Sequence, residues 1–272
     1  MKDIVELFER LTAEKVLSCQ DMANGISNRN YLINGKKVLR VKGAFSDPFY
    51  SSSTEHEVES KIAHLDLAPR LLVFDEPSGT KIAEFIEEKV SFVDPHPTEY
   101  QLEQVALILK KLHTSGIRVT NKFSMFDRLE AYKKESFARI NPIVESSIIA
   151  AAKQHFDTKH LVLCHNDVVR GNILFAGDKV YLIDYEYACM NDPVFDLVSF
   201  LSENNIEDRK SVFYFLSKYY GNEAMIPVEK ISAFYHFLDL LWFYWAGMMQ
   251  RHCPNPIFAK IADIKHQRLI KL

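Results

Sequence analysis

The chain has 272 residues, of which 47% are hydrophobic and 25% are charged, and its formal net charge at pH 7 is −3. This composition is that of a globular protein, so a fibrous or disordered chain is excluded. The slightly acidic balance argues against a nucleic-acid-binding protein with a domain-wide basic field. The four cysteines form no Cys-x-x-Cys pair, which argues against a zinc site and a disulfide framework and favours a reducing, cytoplasmic location.

No segment of the sequence has the pattern of a membrane anchor. The N-terminal residues MKDIVELFERL lack the apolar core of a signal peptide. The most apolar stretch, residues 233–249, is 17 residues long and contains His236 and Asp239. Because a membrane span needs about 20 apolar residues without central charges, we expect a buried helix there and no membrane partner.

The first 90 residues alternate between helix and strand signals. Apolar residues at helical spacing predict a first helix around Phe8. Residues 30–41 form two short runs joined by Asn34-Gly35, the dipeptide typical of a type I′ hairpin turn. A helix is predicted over 55–65, and short strands over 71–74 and 81–86.

The rest of the chain is mostly helical. Thr98, followed three residues later by Gln101, predicts a capping box at the start of a helix. Further helices are predicted over 127–140, over 143–156 and from 195 onwards, with breaks near Gly221 and 254–256. Three short apolar runs, at 161–164, 173–175 and 180–183, interrupt the helical pattern as strands.

These elements predict an α+β, bilobal architecture. Residues 1–90 would form a small β-rich N-lobe. Residues 91–272 would form a larger helical C-lobe with a small β insert. The seam between the lobes is expected at 87–97.

The segment 161–187 carries the most informative motif. Asp167 is followed five residues later by Asn172, which is the spacing of a kinase catalytic loop. Asp167 can orient a substrate hydroxyl and accept its proton, while His165 would brace the loop. Asn172 and Asp184, which ends the following apolar strand, can offer oxygen ligands to Mg²⁺. The alternative is that Asp167 is a turn residue and Asn172 a helix cap.

The N-lobe offers partners for a nucleotide. Small polar residues before the hairpin would let backbone N–H groups approach phosphates; they are Asn24, Gly25, Ser27 and Asn28. Arg40 can reach phosphates with its planar guanidinium, and either Glu55 or Glu57 would pair with it. Backbone groups of Glu84, Phe85 and Ile86 are expected to contact an adenine edge.

At these residues the chain resembles the choline/ethanolamine kinase family, of the bacterial choline kinase type, within the wider aminoglycoside-phosphotransferase-like group. The motifs that carry the resemblance are NGISNRNYLI with VLRV, LCHNDVVRGNIL, IDYEYACMNDPVFDLVSFLSE and LLWFYW. The resemblance implies a protein-kinase-like fold, in which the N-lobe, 1–90, binds nucleotide phosphates and the C-lobe, 91–272, carries the catalytic loop, a magnesium site and the substrate pocket. It also implies ATP and Mg²⁺ as cofactors, Asp167 as catalytic base, and Asn172 and Asp184 as magnesium ligands. Two departures are Val168-Val169-Arg170, where members often have Leu-Val-Pro, and Phe258 in place of C-terminal tyrosines.

The substrate hypothesis depends on two tryptophans. A quaternary ammonium has no N–H donor and is held by aromatic faces and a nearby carboxylate. Trp242 and Trp245 share a helix face at their spacing of three residues. The resemblance implies that they and Glu203 line a choline pocket, with Tyr187 beside it. The alternative is that both tryptophans are core residues. Asp196 is expected to brace the Asp184 loop.

The sequence therefore predicts a cytoplasmic kinase that transfers phosphate from ATP to the hydroxyl of choline, giving phosphocholine. The first alternative is the same chemistry on ethanolamine, thiamine or an aminoglycoside. The second, from another class, is a non-catalytic pseudokinase that binds a nucleotide or a quaternary amine. The expected partner is a small molecule rather than nucleic acid or a membrane, and the oligomeric state stays open.

Overall fold

The computed structural model describes residues 1–22, 28–43, 47–88, 90, 92, 96–253 and 255–271. The chain divides into two compact units, residues 1–92 with 171–187, and residues 93–170 with 188–272. Segment 171–187, expected in the C-lobe, thus packs with the first unit, because Leu182 N–H donates to the Leu67 carbonyl at 2.8 Å and Asp184 binds Arg40. Among the described helices, none is both long and apolar enough to cross a membrane.

The helices and strands of the described residues follow in chain order. They are α1 (Lys2–Thr12), β1 (Cys19–Asp21), β2 (Asn28–Ile33), β3 (Lys37–Lys42), α2 (Ser52–Ile62), β4 (Leu71–Asp75), β5 (Thr80–Glu84), α3 (Glu99–His113), α4 (Met125–Glu135), α5 (Pro142–His155), β6 (Val162–Cys164), β7 (Ile173–Ala176), β8 (Lys179–Leu182), β9 (Cys189–Asn191), α6 (Val194–Glu203), α7 (Arg209–Tyr220), α8 (Val228–His252) and α9 (Pro256–Leu269).

The first unit is built on a five-stranded antiparallel sheet with strand order β1-β2-β3-β5-β4. The predicted hairpin is confirmed: Asn34 and Gly35 have φ angles of 52° and 67°, and Asn30 lies opposite Arg40. The core beneath the sheet contains five buried side chains, Phe8, Tyr31, Ile33, Leu39 and Ile82. Burial of these apolar surfaces stabilises α1 against β2 and β3.

Two predicted boundaries in the first unit shift. Helix α2 begins at Ser52 rather than 55, because Ser51 Oγ accepts the backbone N–H of Thr54 and caps the helix earlier. Strand β5 ends at Glu84 rather than 86, although the N–H of Phe85 still donates to the Lys36 carbonyl at 2.8 Å, one register step beyond the Lys37–Glu84 pair.

The second unit is mostly helical. The capping box is confirmed, since Gln101 N–H donates to Thr98 Oγ1 and Thr98 N–H to Gln101 Oε1. Helix α4 ends at Glu135 rather than 140, because Ser136 is extended and its Oγ accepts the N–H of Ala138, a local turn that competes with the helix.

The long helix α8 organises the second unit and packs against α4, α5, α6 and α9. Most of its residues from Ala233 to Met249 are buried, which confirms the predicted buried helix. The predicted breaks are also confirmed, since Gly221 ends α7 with φ 79° and α9 begins anew at Pro256. A short antiparallel pair, β6 with β9, lies beside the helices.

Candidate active site

A buried ion-pair cluster joins β3, α2 and β5 in the first unit. Arg40 Nη1 and Nη2 donate to Glu55 Oε1 and Oε2, both at 2.6 Å, in the two-pronged geometry that a guanidinium and a carboxylate favour. Glu57 instead pairs with Lys61, one turn further along α2, at 2.7 Å. Arg40 therefore has Glu55, and not Glu57, as its partner.

Lys81 adds a second cation to this cluster. Its Nζ donates to Glu55 Oε1 at 2.8 Å and also contacts Glu59, and the Tyr50 hydroxyl donates to Glu55 Oε2 at 3.0 Å. Burial alone would raise the pKa of the Glu55 carboxyl, but Lys81 and Arg40 outweigh burial and lower this pKa to about 2. Glu55 is therefore ionised at neutral pH and holds both cations in place.

Two predicted magnesium ligands, Asn172 and Asp184, lie in the first unit. The N–H of Ile183 donates to the Asn172 carbonyl at 2.9 Å, and Asp184 then adopts the left-handed conformation with φ 65°. Asp184 Oδ1 accepts Arg40 Nη1 at 2.7 Å, while 27% of its side chain stays exposed. The two side chains thus offer an amide and a carboxylate oxygen on adjoining backbone, a donor set that fits Mg²⁺.

Glu186 is a candidate site residue that the sequence argument missed. Its Oε2 accepts Asn28 Nδ2 at 3.2 Å and lies 3.4 Å from Lys42 Nζ. Burial, followed by the nearby charge of Asp184, raises the pKa of Glu186. The sequence feature that could have indicated Glu186 is its position two residues after Asp184, just beyond β8.

The predicted phosphate loop is described only at its end. Asn24, Gly25 and Ser27 lie outside the described residues. Asn28 opens β2 and is buried, with its side-chain amide on Glu186. Its Oδ1 makes no hydrogen bond to the part of the chain that the structure describes.

The predicted adenine-contact segment is partly occupied by the protein itself. The N–H of Glu84 donates to the Arg70 carbonyl at 3.0 Å, and that of Phe85 to the Lys36 carbonyl at 2.8 Å. Ile86 follows both, beyond the end of β5. A ring nitrogen of adenine that accepts a hydrogen bond from this segment would therefore bond the backbone N–H of Ile86, since the N–H groups of Glu84 and Phe85 are already used.

In the second unit, the predicted catalytic loop is anchored on Asp196. The N–H groups of His165 and Asn166 donate to Oδ2 and Oδ1 of Asp196, both at 2.7 Å. Asn166 takes the left-handed conformation with φ 65°, and the N–H of Asp167 donates to His165 Nδ1 at 3.3 Å. His165 is fully buried, and its ring accepts a hydrogen bond from the loop backbone, as expected of a residue that braces the loop. Asp167 is half-buried.

The same loop is tied to the end of α6. The N–H of Val168 donates to Ser199 Oγ at 3.1 Å, and Asn204 Nδ2 donates to the Val168 carbonyl at 3.0 Å. Asn204 is the neighbour of Glu203. The loop that carries Asp167 and the end of helix α6 that carries Glu203 are therefore held together.

The expectation that Asp196 braces the Asp184 loop is wrong. Asp196 binds the His165–Asn166 backbone instead, because α6 begins directly after β9, which pairs with β6 just before this loop. His113 Nε2 lies 3.0 Å from Asp196 Oδ2, and His113 Nδ1 lies 2.7 Å from the Tyr219 hydroxyl. A buried hydrogen-bond network thus fixes Asp196 in turn.

An aromatic cluster connects α8 and α9. The rings of Trp242 and Trp245 meet edge to face, with centroids 5.6 Å apart, and Trp245 meets Phe258 in the same way at 5.6 Å. Trp242 is buried and Trp245 half-buried. Tyr187, also predicted at the substrate, is buried in the first unit, in a 3-10 turn.

Glu203 already has a cation within the protein. Lys265 Nζ, on α9, donates to Glu203 Oε1 at 2.7 Å, to Ser202 Oγ at 2.7 Å and to Asp239 Oδ1 at 2.9 Å. The contact of Lys265 with Glu203 was not predicted from the sequence, since the two residues are 62 positions apart. The local sign of it is a lysine at a buried position of α9, between Phe258 and Leu269.

Comparison with known proteins decides the family. Residues 19–224 match the family described as Choline/ethanolamine kinase. The chain belongs to this family. It is a small-molecule kinase with a kinase-like α+β fold, as the sequence predicted.

This kinase is 27% identical over 250 residues to Protein LicA of Haemophilus influenzae, a match that covers 85% of the chain and 73% of the relative. The solved structure of choline kinase LicA from Streptococcus pneumoniae matches with a TM-score of 0.82 at 23% identity, covering 99% of this chain and 98% of that one. A structure of LicA in complex with AMP matches with a TM-score of 0.83 at 24% identity, covering 99% and 96%. These two structures share the fold of the kinase.

An Asp196→Asn variant of this kinase is expected to lose about 10- to 100-fold in kcat with ATP KM little changed. The variant replaces a charged acceptor with an amide, which weakens the bonds to the loop backbone. Steady-state kinetics would measure the loss. Asp208→Asn, at the exposed N-cap of α7, is the matched control and should change neither constant. Equal kcat values in both variants would contradict the anchoring role.

Proposed function

We propose that this kinase transfers the γ-phosphoryl group of ATP to the hydroxyl of choline and forms phosphocholine. The observation that carries the proposal is the pair of tryptophans on α8, with Phe258 behind them, in the same unit as the Asp167 loop. Aromatic faces attract a desolvated quaternary ammonium through their ring quadrupoles. The loop next to Asp167 is tied to the end of α6, as described above.

Asp167 is the proposed catalytic base. A loop fixed at His165, Asn166 and Val168 limits the motion of the carboxylate between them. Asp167 then orients the choline hydroxyl and accepts its proton as the oxygen attacks phosphorus. Phosphoryl transfer passes through a loose transition state, in which the proton of the attacking alcohol is removed late. Asp167 therefore accelerates the reaction mainly by holding the hydroxyl in position.

ATP and Mg²⁺ are the proposed cofactors of the first unit. Asn172 and Asp184 would hold Mg²⁺, with Glu186 as a further oxygen donor. When bound, Mg²⁺ neutralises negative charge on the phosphates. Arg40, fixed by Glu55, would direct its guanidinium at phosphate oxygens. The complex of LicA, a protein of the same fold, with AMP supports a nucleotide ligand for this kinase.

The carboxylates of Glu203 and Asp239 favour choline over ethanolamine, because both already bind a cation of the protein. A primary ammonium needs hydrogen-bond acceptors, whereas a quaternary ammonium needs none. Glu203 Oε1 and Asp239 Oδ1 already accept Lys265. Carboxylate oxygens that already bind Lys265 are less able to accept the N–H groups of ethanolamine, whereas the quaternary ammonium of choline can be bound by aromatic faces alone.

The test of this proposal is ADP release from ATP with single alcohols. Choline, ethanolamine, thiamine and an aminoglycoside are each offered to the purified chain, with Mg²⁺ and again with excess EDTA. We expect the highest kcat/KM with choline, and no turnover in EDTA. A higher kcat/KM with another alcohol would replace choline as substrate. Nucleotide binding without turnover of any alcohol would favour the pseudokinase alternative.

A Trp245→Ala variant is expected to raise the KM for choline about 30-fold, since a desolvated cation–π contact contributes about 2 kcal/mol. The KM for ATP should change less than about twofold, because the residues proposed to bind ATP belong to the first unit and Trp245 belongs to the second. Trp245→Phe keeps an aromatic face and is the matched control. If the alanine variant raised both KM values equally, Trp245 would be a core residue without a role in binding.

A further inference from the structure

A buried lysine of the second unit, Lys265, donates a hydrogen bond to Glu203, the carboxylate that the resemblance to the family places at the substrate. We define the Glu203 cluster as Glu203, Glu207, Asp239, Lys265 and Arg268. Lys265 is 3% exposed, and its three ammonium hydrogens meet Ser202, Glu203 and Asp239. A buried ammonium with three oxygen partners has all of its hydrogen-bond donors satisfied.

Asp239 does not depend on Lys265 alone. Its Oδ1 also accepts the Ser202 hydroxyl at 2.8 Å and lies 3.3 Å from Arg268 Nη1. Arg268 in turn pairs with Glu207 at 2.7 Å. Asp239 therefore keeps a cation and a hydroxyl when Lys265 is removed, whereas Glu203 has no second cation among the described residues.

Of the two acids that bind Lys265, Glu203 is the one that a ligand can reach. Its side chain is 17% exposed, against 1% for Asp239. Only its Oε1 is bonded within the described chain, to Lys265. A carboxylate with a cation already on one oxygen attracts a second cation less than an unpaired carboxylate does, because the like charges repel each other.

We propose that Lys265 is a specificity-determining residue, an internal cation that offsets Glu203 and thereby sets how strongly the site attracts the positive head of the substrate. The inference rests on the proposed choline kinase function. With Lys265 in place, the aromatic cluster carries a larger share of recognition and Glu203 a smaller one. The affinity for choline should follow the net charge of the Glu203 cluster, while the affinity for a neutral molecule of the same shape should not.

The experiment compares choline with 3,3-dimethyl-1-butanol, its neutral carbon isostere, in four proteins. Lys265→Met makes the cluster more negative by one charge, Glu203→Gln makes it more positive by one, and the double variant restores the original charge. We expect the choline KM to fall about tenfold in Lys265→Met and to rise about tenfold in Glu203→Gln. In the double variant it should return to within about threefold of wild type.

The neutral isostere is the control for shape. Its KM, or its Ki if it only competes with choline, should change less than about twofold in all four proteins. Lys265→Arg keeps the charge and should leave the choline KM closer to that of wild type than to that of Lys265→Met. Thermal unfolding confirms that each variant is folded, and Lys265→Gln, which retains an N–H donor, replaces the methionine variant wherever that one does not fold.

Three results would overturn the proposal. The first is a double variant as weak for choline as Glu203→Gln alone. The second is a choline KM that rises in Lys265→Met, which would make Lys265 a positioning residue for Glu203. The third is an isostere KM that follows the choline KM, which would show a change of pocket shape. A wild-type protein that phosphorylates no choline would instead refute the proposed function, so the two failures are distinct.

Discussion

An Asp167→Asn variant is expected to lower kcat with choline by about 10³-fold, because the asparagine side chain cannot accept the proton of the alcohol. The loop itself should keep its shape, since the anchoring bonds run from the backbone of His165 and Asn166 to Asp196. ATP affinity, measured by calorimetry, should stay within about twofold of wild type.

The matched control for this variant is Asp178→Asn. Asp178 is an exposed aspartate in the turn between β7 and β8, and the same chemical change there should leave kcat and the melting temperature unaltered. An Asp167→Asn enzyme that retained a tenth or more of wild-type kcat would contradict the role of Asp167 as base.

A Glu55→Gln variant is expected to lower the free energy of unfolding by about 3 kcal/mol, the cost of removing the central carboxylate of a buried ion-pair cluster. Arg40 and Lys81 both lose their shared carboxylate in this variant and keep Asp184 and Glu59, respectively, as acidic partners. Urea unfolding would measure the change. The KM for ATP should rise as well, because Arg40 is then no longer held by two bonds.

Glu57→Gln is the control for Glu55→Gln on the same helix. Among the described residues, Glu57 pairs with Lys61 at a partly exposed position, so the loss of this pair should cost less than about 0.5 kcal/mol. Similar destabilisation by both substitutions would show that the Arg40–Glu55 pair is not the element that stabilises the first unit.

The same carboxylate gives a pH dependence of stability. The pKa of Glu55 is lowered from 4.5 to about 2 by Lys81 and Arg40, against the effect of burial. A group with a lowered folded-state pKa contributes stability above its unfolded pKa, and this contribution is lost as pH falls towards its folded pKa. Stability should therefore fall between pH 4.5 and 2 more steeply in wild type than in Glu55→Gln. Parallel unfolding curves for the two proteins would contradict this linkage.

The features that sequence predicted well depend on local chemistry. The hairpin turn is determined locally, because Asn34 and Gly35 readily adopt the positive φ angles that it requires. The capping box is also local, because Thr98 and Gln101 are separated by one helical turn. Strands β1 and β9 were missed, because three-residue strands carry too little periodicity and exist through their pairing with β2 and β6.

The candidate site shows the same division. The spacing from Asp167 to Asn172 and the position of Asp184 are local, and so they stood out in the sequence. The choice of Glu55 over Glu57 required knowing which face of α2 meets β3. The contact of Lys265 with Glu203 joins α9 to α6, and the anchoring of His165 by Asp196 depends on the pairing of β6 with β9. Such long-range pairs have no signature in a single sequence.

A competition experiment tests most directly whether this kinase phosphorylates choline. Equimolar choline and ethanolamine are incubated with the chain, ATP and Mg²⁺, and the phosphorylated products are identified by mass spectrometry at early times. We expect phosphocholine to exceed phosphoethanolamine by about tenfold or more, the discrimination that changes of a few methyl groups allow. Predominant phosphoethanolamine, or ADP without any phosphorylated alcohol, would contradict it.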